Sequence, residues 1–143
     1  AGLPPAMQEW LEKYSKQINI EAGVMIDMVR LEIIPAVLKY TGKCAEVINS
    51  MTAAGIKNGI GEQREMLEQM MKNFEELKYS TDLLAKELLN ARSVEDHLSQ
   101  AKTYHEKVFP LMSRVRLYAD ALEKMTGKED WPFPTYLDLL FKI

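Results

Sequence analysis

A chain of 143 residues, 47% hydrophobic and 27% charged, is long enough to bury a core of its own and has the composition of one ordinary soluble domain. Its formal net charge of −3 is the balance of 18 basic and 21 acidic residues spread along the chain. That leaves no basic field for phosphate backbones or anionic lipid, so nucleic acid and membrane partners are not expected. A single cysteine forms no internal disulfide, and the start does not read as a signal peptide; both predict a cytoplasmic setting.

Pro4 and Pro5 suit the first turn of a helix, where their missing N–H groups have no intrahelical partner. From there Met7, Leu11, Tyr14 and Ile18 recur at spacings of three and four. The line runs into the stretch Ile18 to Leu38, around which the chain is organised. Here the apolar side chains follow two lines, Ile18, Ala22, Met25 and Val29 on one and Ile20, Val24, Met28 and Leu31 on the other. A helix apolar on two sides needs cover on two sides, which predicts the central helix of a bundle. Glu21, Asp27, Arg30 and Glu32 interrupt the stretch, so it does not read as a membrane span. Asp27, three residues before Arg30, sets up a structural ion pair on adjacent turns, either solvated or partly desolvated by the cover on both sides.

Gly23 is a weak point of this helix, costing about 1 kcal/mol against alanine. A chain folding back there would make a four-helix bundle. Pro35 removes a ladder hydrogen bond and predicts a bend. Beyond it Val37, Tyr40, Cys44, Val47 and Met51 resume the apolar line, so the helix passes Gly42 and ends at the turn signalled by Gly55, Asn58, Gly59 and Gly61. Cys44 lies on that line and reads as a packed thiol.

Ile60, Leu67, Met70, Phe74, Leu77, Leu84 and Leu88 fall on a seven-residue repeat, a coiled-coil-like seam with Gln63 and Thr81 as polar exceptions. Ser93 with Asp96 three residues on is a variant of the capping box, opening a third helix. Its apolar line is Val94, Leu98, Ala101, His105, Val108, Met112, Val115, Ala119 and Leu122, bent at Pro110 and closed at Gly127. Pro35 and Pro110 are predicted within about 10 Å of each other in height. The fold class is therefore all-α: an antiparallel bundle of three long helices with an extended aromatic strap from Asp130 to the end. A first helix of about fifty residues, ~75 Å, exceeds partners of about thirty. Its first twenty or so residues would overhang, leaving Met7, Trp10, Leu11, Tyr14 and Ile18 as an interface, joined by the strap residues Trp131, Phe133, Tyr136 and Phe141.

Reactive chemistry is not legible. No Glu-x-x-His pair exists, His97 and His105 stand eight apart, and Gly55-Ile56-Lys57-Asn58-Gly59 lacks the spacing of a phosphate loop. No serine, cysteine or histidine is placed as a nucleophile, so no catalytic, cofactor-binding or metal site is expected in the chain.

Two strings carry a resemblance. Ile18-Asn19-Ile20-Glu21-Ala22 with Met25-Ile26-Asp27-Met28 and Glu32-Ile33-Ile34-Pro35-Ala36 resembles the opening helix of the C-terminal domain of type III glutamine synthetases. Asp130-Trp131-Pro132-Phe133-Pro134-Thr135-Tyr136 with Asp138-Leu139-Leu140-Phe141 resembles the tail of the same enzymes. The resemblance implies a single helical domain over residues 1–143, a C-terminal fragment of a homo-oligomeric ligase that joins ammonia to glutamate with ATP and a divalent metal, Mg or Mn. It also implies that the catalytic residues lie in an upstream domain, against which this one packs. An alternative is a free-standing helical interaction module that captures an amphipathic partner helix on the same faces.

Overall fold

The computed structural model describes residues 2–134, and among these every regular element is helical. Three long helices account for the described residues. Helix one comprises α1 (Pro5–Met28), a π-helical turn (Val29–Ile33) and α2 (Ile34–Ala53). Helix two is α3 (Ile60–Arg92), and helix three comprises α4 (His97–Thr103), a second π-helical turn (Tyr104–Val108) and α5 (Phe109–Met125).

Each π turn ends shortly before a proline, and the two facts are connected. A proline has no N–H for the carbonyl four residues back, and its ring crowds that carbonyl. Ahead of Pro35 and Pro110 the ladder widens instead, with the Ile34 N–H donating to the Val29 carbonyl and the Phe109 N–H to the Tyr104 carbonyl, five residues back in both cases. Gly23 and Gly42 leave helix one unbroken, so the fold-back at Gly23 does not occur. The reversal comes at Gly55 and Gly59, whose φ angles of 80° and 82° favour glycine.

Contacts between side chains fix the order of the helices. Asn19 meets Arg92 (2.6 Å) and Arg30 meets Asp82 (2.9 Å), so helices one and two run antiparallel. Gln100 Nε2 donates to the Ala91 carbonyl, and Asn73 Nδ2 approaches Met125 Sδ, so helix three returns antiparallel along helix two. Glu12 meets His97 (3.0 Å) and Lys43 meets Asp130 (2.9 Å), so helix three runs parallel to helix one. The shared core holds Ala22, Val29 and Val37 from helix one, Leu77 and Leu84 from helix two, and Val108, Val115 and Leu122 from helix three.

Register departs from expectation in three places. Residues of helix three sit beside residues about 86 earlier in helix one, as Glu12 with His97 and Lys43 with Asp130 require. Pro110 therefore lies about eleven residues below Pro35, ~16 Å rather than within 10 Å. The same register brings helix three down to the level of Glu12, so the N-terminal overhang shrinks to the first turns of α1. The end that helix three leaves uncovered is the opposite one, where α2 and α3 run on as a pair to the Gly55 turn. Finally, Asp96 rather than Ser93 caps α4: its Oδ2 accepts from the Ser99 N–H (2.9 Å), while Ser93 Oγ donates back to the Asn90 carbonyl (2.7 Å) at the end of α3.

Candidate docking surface

Helix one is covered along one of its two apolar lines only. Ile18, Ala22, Ile26, Val29, Ile33 and Val37 are buried against helices two and three. On the second line Ile20 is 56% exposed, Val24 52%, Leu31 73% and Leu38 48%, with Met28 also open. A helix in a three-helix packing meets its partners over a single stripe, so the second stripe stays bare. It runs for about 27 Å from Ile20 to Leu38, and Trp10 extends it toward the N-terminus. The exposed Asp27 lies among these positions, but open apolar surface on this scale marks an interaction face more often than scattered surface leucines do.

The five overhang residues separate accordingly. Leu11 and Ile18 are buried in the chain's own packing and cannot serve as a bare interface. Tyr14 is half-buried, its hydroxyl 3.1 Å from His105 Nδ1, whereas Met7 and Trp10 remain open. His105 itself is exposed and stacks with Phe109; its expected place in the seam is taken by Tyr104, 2% exposed. At spacings of three and four either residue fits, and the phenol loses less on leaving water than the imidazole does. Burial pushes the Tyr104 hydroxyl above the usual tyrosine range.

The Asp27–Arg30 pair is replaced by a longer-range one. The Arg30 guanidinium reaches Asp82 on α3 (2.9 Å), and Lys78 approaches the other carboxylate oxygen (3.1 Å). Arg30 first, and then Lys78, hold the Asp82 carboxyl below the usual range. Asp27 is exposed.

After α5 the chain turns back across helix one. Asp130, its side chain 7% exposed, receives both Lys43 contacts at 2.9 Å, and Lys39 stands 3.9 Å away. That hydrogen bond to Asp130 raises the Lys43 ammonium above its ordinary value. Trp131 enters the core, with Phe133 edge-on at 6.4 Å, so these two strap residues are largely spent on the chain's own bundle. Tyr136 and Phe141 lie outside the described residues. Gly127 is needed at the crossing for a different reason than a turn: a Cβ there would stand 2.7 Å from the Tyr40 ring.

Two concavities complete the surface. A polar cleft of about 250 Å³ lies where Glu12, Asn19, Arg92 and His97 converge. Glu12 contacts His97, and Arg92 Nε donates to the Asn19 amide oxygen, so the cleft ties the three helices together at their lower end. An apolar groove of about 450 Å³ lies at the other end, between α2 and α3 beyond Met125. Cys44, half-buried, lines it. Among the described residues no three His, Cys, Asp or Glu side chains converge on a possible metal position. Among the described residues no helix is long and apolar enough to cross a membrane.

The fold defines a class: an all-helical domain built on one long helix with one apolar stripe covered and one bare. Comparison with known proteins gives the relationship. A family model described as the glutamine synthetase C-terminal domain matches residues 7–52, nearly the whole of helix one. The chain is 27% identical over 92% of its length to a glutamine synthetase of Bacteroides fragilis (strain YCH46), and 27% identical over 91% to a type-3 glutamine synthetase of Dictyostelium discoideum. It is 25% identical over 93% of its length to a glutamine synthetase of Butyrivibrio fibrisolvens. The resemblance to the C-terminal domain of glutamine synthetases is thus shown. The chain spans 18–19% of the length of these relatives.

Proposed function

We propose that this chain is the non-catalytic structural and assembly domain at the C-terminus of a type III glutamine synthetase, the parent enzyme ligating ammonia to glutamate at the expense of ATP. One observation carries the reading. The helix that matches the family model is the helix whose second apolar stripe, Ile20 to Leu38, stands uncovered. A stripe that the domain's own helices do not use is suited to lie against the catalytic body of the same chain or against a neighbouring subunit of a homo-oligomer. Desolvating four such side chains provides several kcal/mol at about 25 cal/mol per Å², enough to hold a domain in a fixed orientation.

The parent's ATP and divalent metal (Mg or Mn) belong upstream in this reading. The described residues do not fit a metal-nucleotide centre, because their acidic side chains are dispersed or engaged in ion pairs with lysine and arginine. The parent is assigned to the cytoplasm.

The test uses the whole parent enzyme carrying Val24→Asp and Leu31→Asp. Two carboxylates on the stripe are expected to reduce the assembled fraction in sedimentation velocity, with ligase activity falling in parallel. A doubly substituted enzyme that stays fully assembled and fully active overturns the proposal.

A further inference from the structure

The polar cleft at the lower end of the molecule has no part in the bare stripe. Three helices meet there: α1 brings Glu12, Ser15, Lys16 and Asn19, α3 brings Arg92, and helix three brings His97 and Tyr104. Glu12 Oε1 lies 3.0 Å from His97 Nε2, and Arg92 Nε donates to Asn19 Oδ1 at 2.6 Å. The second contact uses one of the guanidinium N–H groups and, because an amide oxygen is neutral, cancels none of its charge. Among the described residues no carboxylate stands within ion-pair distance of Arg92 or of Lys16. The lining thus carries two unmatched cations and a single acid, and that acid already meets His97.

Buried hydroxyls add to this. A helical serine or threonine often returns its hydroxyl to the carbonyl four residues back, as Thr81 does to Leu77. Ser15, 6% exposed, does not, and its Oγ has no hydrogen-bond partner among the described residues. Tyr104, 2% exposed, also lines the cleft, close enough to Arg92 for the guanidinium to offset part of what burial does to its hydroxyl.

We propose that this cleft binds one small oxyanion, a phosphate or carboxylate head held by the Arg92 guanidinium and the Lys16 ammonium beside the Ser15 hydroxyl. Three observations converge. Both cations are unmatched, and hydrogen bonds from a cation to an oxyanion are the strong ones. Asn19 holds Arg92 by Nε before any ligand arrives, which leaves the planar Nη pair to face the anion. The cleft is about 250 Å³, room for a head group of about five heavy atoms with some of its water. The chain as a whole carries −3, so an anion that stays bound owes its place to local charge. The inference stands apart from the assembly reading, since neither Val24 nor Leu31 lines the cleft.

The test titrates the 143-residue chain with inorganic phosphate, and separately with acetate. Binding is followed by heteronuclear NMR of the Ser15, Lys16 and Tyr104 amides, at neutral pH and at a constant low ionic strength set with sodium chloride. One saturable site with a Kd of about 1 mM is expected for at least one of the two probes, and the tighter identifies the head group. Lys16→Gln and Arg92→Gln are each expected to weaken binding at least about fivefold. Glu12→Gln removes the one acid of the lining and is expected to tighten it by about threefold. Lys72→Gln, ~30 Å from Arg92 along α3, is expected to leave it unchanged. Lys16 has no contact in the fold to lose, so weaker binding in Lys16→Gln is not a loss of structure, and it decides alone should Arg92→Gln fail to fold. The proposal is overturned if neither probe saturates below about 50 mM. It is equally overturned if Lys16→Gln binds as the parent chain does, an adventitious ion only, or if Glu12→Gln binds more weakly.

Discussion

Asp82 is held by two cations from different helices, and the sign of its effect on stability follows from that. Arg30, and after it Lys78, depress the folded-state carboxyl below its unfolded value. The contribution is complete above the unfolded pKa and is lost as pH falls through the depressed one. Both partners of Arg30–Asp82 are about half exposed, so the pair is expected to add about 0.5 kcal/mol, the order found for solvated ion pairs. Urea denaturation between neutral and strongly acidic pH checks this: Asp82→Asn is expected to lower stability at neutral pH and to leave it nearly unchanged in strong acid. At Gly127 the constraint is steric. An added Cβ would press on the Tyr40 ring, which is itself half-buried, so Gly127→Ala is expected to cost about 1–3 kcal/mol, the usual range for overpacking. Thermal melts followed by Trp131 fluorescence would register it.

Helix one is the element on which the architecture depends, and its glycines are not what shapes it. Gly23 and Gly42 lie within continuous helix, and a Cβ at Gly23 would meet only Arg92 Nη2 at 3.8 Å, while one at Gly42 would meet nothing within 4 Å. Each is therefore expected to gain about 0.5–1 kcal/mol on replacement by alanine, measured by urea denaturation, because the unfolded chain loses freedom and the native contacts do not change. A loss of stability from Gly23→Ala would show that another surface approaches helix one there. The prolines do shape the element. Each follows a turn in which one extra residue is accommodated, and the residues beyond it are rotated relative to a plain α-helix. Val37 beyond Pro35, and Met112 and Val115 beyond Pro110, are buried in the core, so both faces are carried past the proline without a break.

At the scale of the molecule, the packing of three helices in the observed register accounts for which surfaces remain. Helix three is displaced toward the N-terminus, so it covers Leu11 and Ile18 and, among the described residues, leaves the α2–α3 pair open at the top. The bare stripe makes no contribution to the fold of the isolated chain. Val24→Asp with Leu31→Asp is accordingly expected to shift the stability of the 143-residue chain by no more than about 0.5 kcal/mol per site, while lowering any self-association seen by sedimentation. A large loss of stability in the isolated chain would mean that the stripe belongs to its core.

Much of this organisation was local enough to read from the residues. The seven-residue repeat from Ile60 to Leu88 and the turn at Gly55 and Gly59 each depend on spacing within one segment, whereas whether helix one breaks at Gly23 or Gly42 was left open by the residues alone. A chain of L-residues with apolar side chains at that period has few other ways to bury them. The two greasy lines of helix one were equally plain, as was the resemblance at their positions. Which line would be covered was not, because that depends on the lateral register of three rods, set by side chains 52 to 91 residues apart such as Arg30 with Asp82 and Tyr14 with His105. The sequence by itself determined three long helices and where each turns back. The tertiary structure alone decided that Tyr104 and not His105 is inside, that Arg30 looks to another helix, and which apolar surface is left for a partner, since burial is a property of neighbours and not of a segment.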